Sequence, residues 1–128
     1  MITNTLEQMS THLQFLGYEI VRDDKLTRAR HASKYNIILR PLAGGVLFTS
    51  IFGCSDNAKR NRAGYLDMIN SMNNKAGVAR FYADKDSDFF IEAWLPDHYD
   101  RTEFGAFLEA WDRDCGLLAE SEAANYLR

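Results

Sequence analysis

Residues 35–52 read YNIILRPLAGGVLFTSIF, and the fold class turns on them. Tyr35, Ile37 and Leu39 alternate onto one side of an extended segment ending at Arg40. Pro41-Leu-Ala-Gly44-Gly45 has turn composition, since glycine reaches positive φ without steric cost. Val46–Phe52 then returns apolar. Two such runs around a short turn must pair antiparallel.

A second hairpin follows downstream. Gly77–Ala83 and Phe89–Leu95 flank the charged turn Asp84-Lys-Asp-Ser-Asp88. Two short upstream segments are also extended in pattern. Tyr18–Val21 ends at Asp23-Asp24-Lys25, a turn composition. Leu26–His31 is polar on both sides, as suits an edge strand guarded by Arg28 and Arg30.

Helices account for the rest. Leu6, Met9, Leu13 and Leu16 form one stripe over residues 4–17, with capping spacing at Asn4/Glu7 or Thr5/Gln8 and Gly17 as a stop. Ser55-Asp56-Asn57 offers caps for a helix to about Asn74, with Ala58, Tyr65, Leu66, Ile69 and Met72 on its apolar side. From Asp100 or Thr102, residues Phe104, Phe107, Leu108, Trp111, Cys115 and Leu118 recur at three- and four-residue steps, and Gly116 is a candidate kink. Pro41 and Pro96 both sit where a strand should stop. The expected class is α+β, an antiparallel sheet of about five strands with three helices in the order α-β-β-β-α-β-β-α, as a single domain over residues 1–128.

Bulk properties narrow the function. With 46% apolar and 26% charged residues, the chain of 128 residues belongs with globular domains. The start MITNTLEQMS lacks the basic and apolar parts of a secretory signal. No apolar run approaches the roughly 18 residues a membrane span needs. Cytoplasmic residence, no membrane association and two reduced cysteines, Cys54 and Cys115, are therefore expected.

The net charge of −3 is unevenly distributed. Residues 1–75 carry ten Lys/Arg against six Asp/Glu, or +4; residues 76–128 carry five against twelve, or −7. Arg28, Arg30, Arg40 and Arg60 are candidates for an anion-binding face. An acidic chain is nevertheless a poor non-specific nucleic-acid binder, so edge protection and pairing with the acidic final third are the favoured reading of these arginines.

Candidate catalytic chemistry is thin. Asp84-x-Asp86-x-Asp88 opens like a calcium loop, but Phe89 and Leu95 occupy the places of the required glycine and bidentate glutamate. His12, His31 and His98 lack metal-ligand spacing, and zinc needs three or four grouped ligands. Cys115 lies on the apolar stripe of the last helix, which points to packing rather than nucleophilic catalysis. No catalytic residue, metal or cofactor is expected.

The informative departure lies in two strands that are apolar on both sides. In 46–52, Val46, Phe48 and Phe52 oppose Leu47 and Ile51. In 89–95, Phe89, Ile91, Ala93 and Leu95 oppose Phe90 and Trp94. A sheet with one wet side should alternate. If the helices cover one side, Leu47, Ile51, Phe90 and Trp94 form an exposed patch that suits a protein or peptide partner, or a homodimer.

The element order and the stretch Asn70…Asn73, Val78-Ala-Arg-Phe-Tyr-Ala-Asp84, Phe90-Ile-Glu-Ala-Trp-Leu95, Tyr99-Asp100, Phe104…Phe107-Leu108…Trp111…Asp114 resemble the YbjN-like family and the wider type III secretion chaperone-like fold. That resemblance implies a small α+β domain that dimerises and binds proteins without catalysis, as secretion chaperones or as regulators.

Overall fold

The computed structural model describes residues 4–23 and 26–128, so the turn expected at Asp23-Asp24-Lys25 lies partly outside the described residues. The elements run α1 (Asn4–Phe15), β1 (Glu19–Arg22), β2 (Thr27–Arg30), β3 (Ile37–Leu42), β4 (Gly45–Phe52), α2 (Asp56–Arg60), α3 (Arg62–Lys75), β5 (Arg80–Ala83), β6 (Phe89–Pro96) and α4 (Arg101–Glu120), ending in a 3₁₀ turn, Ala123–Asn125. The class is α+β, with one six-stranded antiparallel sheet ordered β1-β2-β3-β4-β6-β5. Two compact units divide the chain, Met1–Ser50 with Ala93–Phe107, and Ile51–Glu92 with Leu108–Arg128.

In the first unit, α1 packs across β1, β2 and β3. Leu6, Met9 and Leu13 are buried as the stripe requires, whereas Leu16 is 44% exposed. The helix stops at Phe15, short of Gly17, in a Schellman arrangement: Gly17 N–H donates to Gln14 O and Tyr18 N–H to Leu13 O, each at 3.0 Å, with Gly17 at φ 98°. Glu7, expected to help cap α1, instead accepts a two-pronged contact from Arg22 of β1, with a shortest distance of 2.6 Å. The strands put Ile37, Leu39, Val46 and Phe48 under α1 and the start of α4, and Phe48 meets Phe104 and Phe107 edge-on.

Three expectations need correction here. β2 is not an edge strand, because β1 pairs outside it, Val21 opposite Arg28. Pro41 lies inside β3 rather than ending it, and the β3–β4 turn is only Ala43-Gly44, with φ of 50° and 78°. Both residues are left-handed, as in the tight hairpin turn whose twist matches its strands. Gly45 belongs to β4 and is needed there for a different reason. A Cβ at that position would fall 2.5 Å from the Trp94 indole.

In the second unit, the expected helix from Ser55 is broken in two at Asn61. Its backbone leaves the helical region (φ −118°, ψ 60°), and its side chain accepts from Gly64 N–H at 3.2 Å, capping α3. Leu66 is 41% exposed, and Met68 takes its place among Tyr65, Ile69 and Met72 inside. Gly116 causes no division, since α4 is continuous from Arg101 to Glu120. The chain end runs antiparallel to 53–55: Ser55 N–H donates to Tyr126 O at 2.7 Å and Arg128 N–H to Gly53 O at 3.0 Å.

The expected strand from Gly77 begins only at Arg80. The N–H groups of Gly77, Val78 and Ala79 are committed to the Asp114 carboxylate of α4 at 3.0, 2.8 and 2.8 Å. Asp114 is only 1% exposed, so three donors replace the water this carboxylate gives up. Next along the chain, the Asn73 amide pairs with Phe81 in both directions, accepting its N–H and donating to its carbonyl, each at 2.8 Å.

Candidate functional site

Register and pleat determine which side chains share the sheet side that α1 leaves open in the first unit. Arg28 stands opposite both Val21 and Ile38, Arg40 opposite Leu47, and Leu42 opposite Gly45. Along β3 this side therefore reads Ile38, Arg40, Leu42. Trp94 of β6 lies over Gly45, and its indole N–H donates to the Leu42 carbonyl at 2.8 Å. That bond fixes a tryptophan which remains 48% exposed, and Leu42 beside it is 38% exposed. A large aromatic held rigidly in water is ready to bind, because little side-chain freedom is left to lose.

Of the residues expected to form a partner surface, Leu47 is on the anticipated side but only 2% exposed, buried by its neighbours. Trp94 is exposed. Ile51 and Phe90 belong to the second unit. Ile51 is 50% exposed, whereas Phe90 is half-buried and stacked on Tyr82 at 4.9 Å with the rings 3° from parallel. Arg80 continues that cluster, 5.8 Å above the Tyr82 ring and 2.6 Å from the buried Glu92 carboxylate. Burial, with a bond to Glu92, raises the Tyr82 phenol above its ordinary range.

The four arginines expected to bind anions are split. Arg28, Arg30 and Arg40 are exposed and share the open side of the first unit, while Arg60 ends α2 in the second. Arg28 has Asp23 at 3.1 Å. Among the described residues, no carboxylate reaches ion-pair distance of Arg30 or Arg40. The periodicity of the sequence pointed to Leu47 and Trp94 of this side but not to Val21, Ile38 and Leu42 or to their interleaving with the arginines, which the register reveals.

The remaining chemical candidates have structural duties. Asp84 Oδ1 accepts from Asp86 N–H at 2.9 Å and Asp88 N–H at 3.0 Å, so the turn's own backbone occupies that carboxylate. Asp100 caps α4 through Glu103 N–H at 2.9 Å, and His98 meets Glu103 at 3.1 Å. Burial, aided by Asp112 and Asp114, pushes the Cys115 thiol up to about 12, which removes the thiolate a nucleophile needs. Cys54 is also free and buried. No group of three or more His, Cys, Asp or Glu side chains among the described residues could hold a metal ion. A groove of about 390 Å³ beside Met68, Met72, Leu117 and Tyr126 has no histidine or cysteine in its lining. No helix among the described residues is long and apolar enough to cross a membrane.

No family model matches the chain, and no curated protein matches its sequence. Solved structures do match. YbjN from E. coli, a candidate transcription regulator, superposes with a TM-score of 0.70 at 12% identity, over 100% of this chain and 98% of its own. The Yersinia pestis type III secretion chaperone SycH, solved in complex with a stable fragment of YscM2, gives 0.60 at 15% identity, over 92% and 99%. An uncharacterized protein from Methanothermobacter thermautotrophicus gives 0.59 at 11% identity, over 86% and 90%. At such identities the likeness is one of fold, and the chain has a YbjN-like, type III secretion chaperone-like fold.

Proposed function

We propose that this chain is a non-enzymatic protein-binding module, chaperone-like or regulatory, that works as a homodimer in the cytoplasm. The observation that carries the reading is Trp94, 48% exposed yet pinned by its indole to Leu42 O on a sheet side that α1 leaves open. Exposed aromatics with few rotamers left are the usual anchors of protein interfaces. Ile51 adds a second exposed apolar side chain in its own unit. The fold shared with SycH, which was solved with a protein fragment bound, supports the same class of function.

Self-association is supported by the end of α1, where Phe15 and Leu16 stand 79% and 44% exposed. Cytoplasmic residence is supported by two unpaired, buried thiols. The arginines of the open side alternate with apolar residues, so we read them as part of the protein-binding surface rather than as a separate nucleic-acid site. Sedimentation at tens of micromolar, with a hydrophobic dye as probe, tests the reading. A dimer that binds the dye supports it. A strict monomer that leaves the dye unbound removes it.

A further inference from the structure

A sheet face and a sheet edge accept different partners. Within the sheet, backbone N–H and C=O groups are already paired, so an extended peptide laid on the face would leave its own polar backbone unsatisfied. An α-helix satisfies its backbone internally and can lie on a face through side chains alone. The opposite side of β1, β2 and β3 holds α1 in that way.

Charge then narrows the choice of helix. The open side of the first unit carries Arg28, Arg30 and Arg40 between Val21, Ile38 and Leu42. Glu19 stands opposite Arg30, and Asp23, just past β1, lies 3.1 Å from Arg28, so cations remain in excess. A guanidinium fork suits carboxylates in particular. We infer that this side takes an amphipathic α-helix of a partner protein, with a large apolar residue seated on Trp94 and Leu42 and acidic residues over Arg40, Arg28 and Arg30. The inference rests on the protein-binding reading above and adds the chemistry of the partner.

Strand spacing gives the partner a signature. In the order β2-β3-β4-β6, Arg40 is two strands from Trp94 and Arg28 is three. The Trp94 indole itself lies over Gly45, and from there Arg40 is one strand across and two residues along, Arg28 two strands across and four along. At about 4.8 Å per strand and about 3.4 Å per residue the separations are roughly 8 and 17 Å. On a helix rising about 1.5 Å per residue, the positions of one stripe nearest those distances are i+4 or i+7 and i+11 from the apolar anchor.

The experiment uses the full chain and two synthetic helical peptides of about five turns. They share an apolar anchor and carry either Glu or Lys at the i+4, i+7 and i+11 positions. Acrylamide quenching reads Trp94 selectively, because Trp111, the other tryptophan, is only 1% exposed. The Glu peptide should shield Trp94 and bind about tenfold more tightly than the Lys peptide. Arg28→Ala with Arg40→Ala, both at exposed positions, should erase most of that difference without altering the fold. Equal binding of the two peptides leaves the apolar surface standing and overturns the acidic assignment. Failure of both to shield Trp94 in the folded chain overturns the helix itself, even where dye binding still supports a protein-binding module. Shielding that grows with protein concentration alone identifies a second copy as occupant, and likewise overturns it.

Discussion

Replacing Asp114 by alanine strands three backbone donors at once. Gly77, Val78 and Ala79 lose their acceptor, and the site is closed to water, since Asp114 is 1% exposed. An unsatisfied buried donor costs about 1–3 kcal/mol, and donors next to one another share any water that enters. Asp114→Ala should therefore lose about 3–5 kcal/mol, a large part of the roughly 5–15 kcal/mol that holds a domain of this kind together. Asp114→Asn keeps one acceptor oxygen but turns an amide N–H₂ toward at least one donor, and should lose about half as much. Arg113 contributes little to the comparison, because it lies 3.8 Å from the carboxylate with a largely exposed side chain. Urea unfolding followed by Trp111 fluorescence, one helical turn away on α4, measures both variants. An alanine variant within 1 kcal/mol of the parent, at unchanged m-value, would refute the claim that this carboxylate organises the approach to β5.

Gly45→Ala should destabilise by about 1–3 kcal/mol and red-shift Trp94 emission, because its Cβ would meet the indole at 2.5 Å; an unshifted spectrum counts against the close packing. Cys115 should resist alkylation in the native chain until denaturant is added, with its thiol pushed up to about 12 by burial and by Asp112 and Asp114. That raised value implies stability that is full below the ordinary thiol range and declines as pH rises through it, and Cys115→Ala should flatten the alkaline slope. Burial, and Arg101 nearby, lower the His12 imidazole, which sits 2.9 Å from the Tyr99 hydroxyl. The unfolded chain then takes up the proton first, so stability falls as pH drops below about 6.5. His12→Gln should remove that acid-side slope in pH-dependent urea midpoints.

Much of the architecture could be read from local pattern, and the misses share one cause. The 35–52 hairpin, the stripe of α1 and the long period of α4 depend on neighbours three or four residues away, or across a tight turn. Asn61 gives no local signal of a break, because its polar side chain fits an exposed helical position as well as it fits a cap. β5 is shortened by a carboxylate more than thirty residues away. Arg28 and Arg30 suggested an edge strand because polarity on both sides is the same signal, whether water or β1 lies outside. Leu47 shows that strand alternation identifies a side without measuring exposure: it shares a side with Leu42, yet one is buried and the other is wet.

The Asn73 amide, clasping Phe81 N–H and C=O, bears on how this sheet could grow. A terminal strand with unpaired groups is a template for addition, and a sheet with two such rims can polymerise. Here β5 is one terminal strand and Asn73 occupies the outward N–H and C=O of its Phe81. With those two groups held, strand addition at this rim is blocked at Phe81. Asn73→Ala would free them, and the species gained should be ordered β-assemblies seeded by folded protein rather than amorphous precipitate.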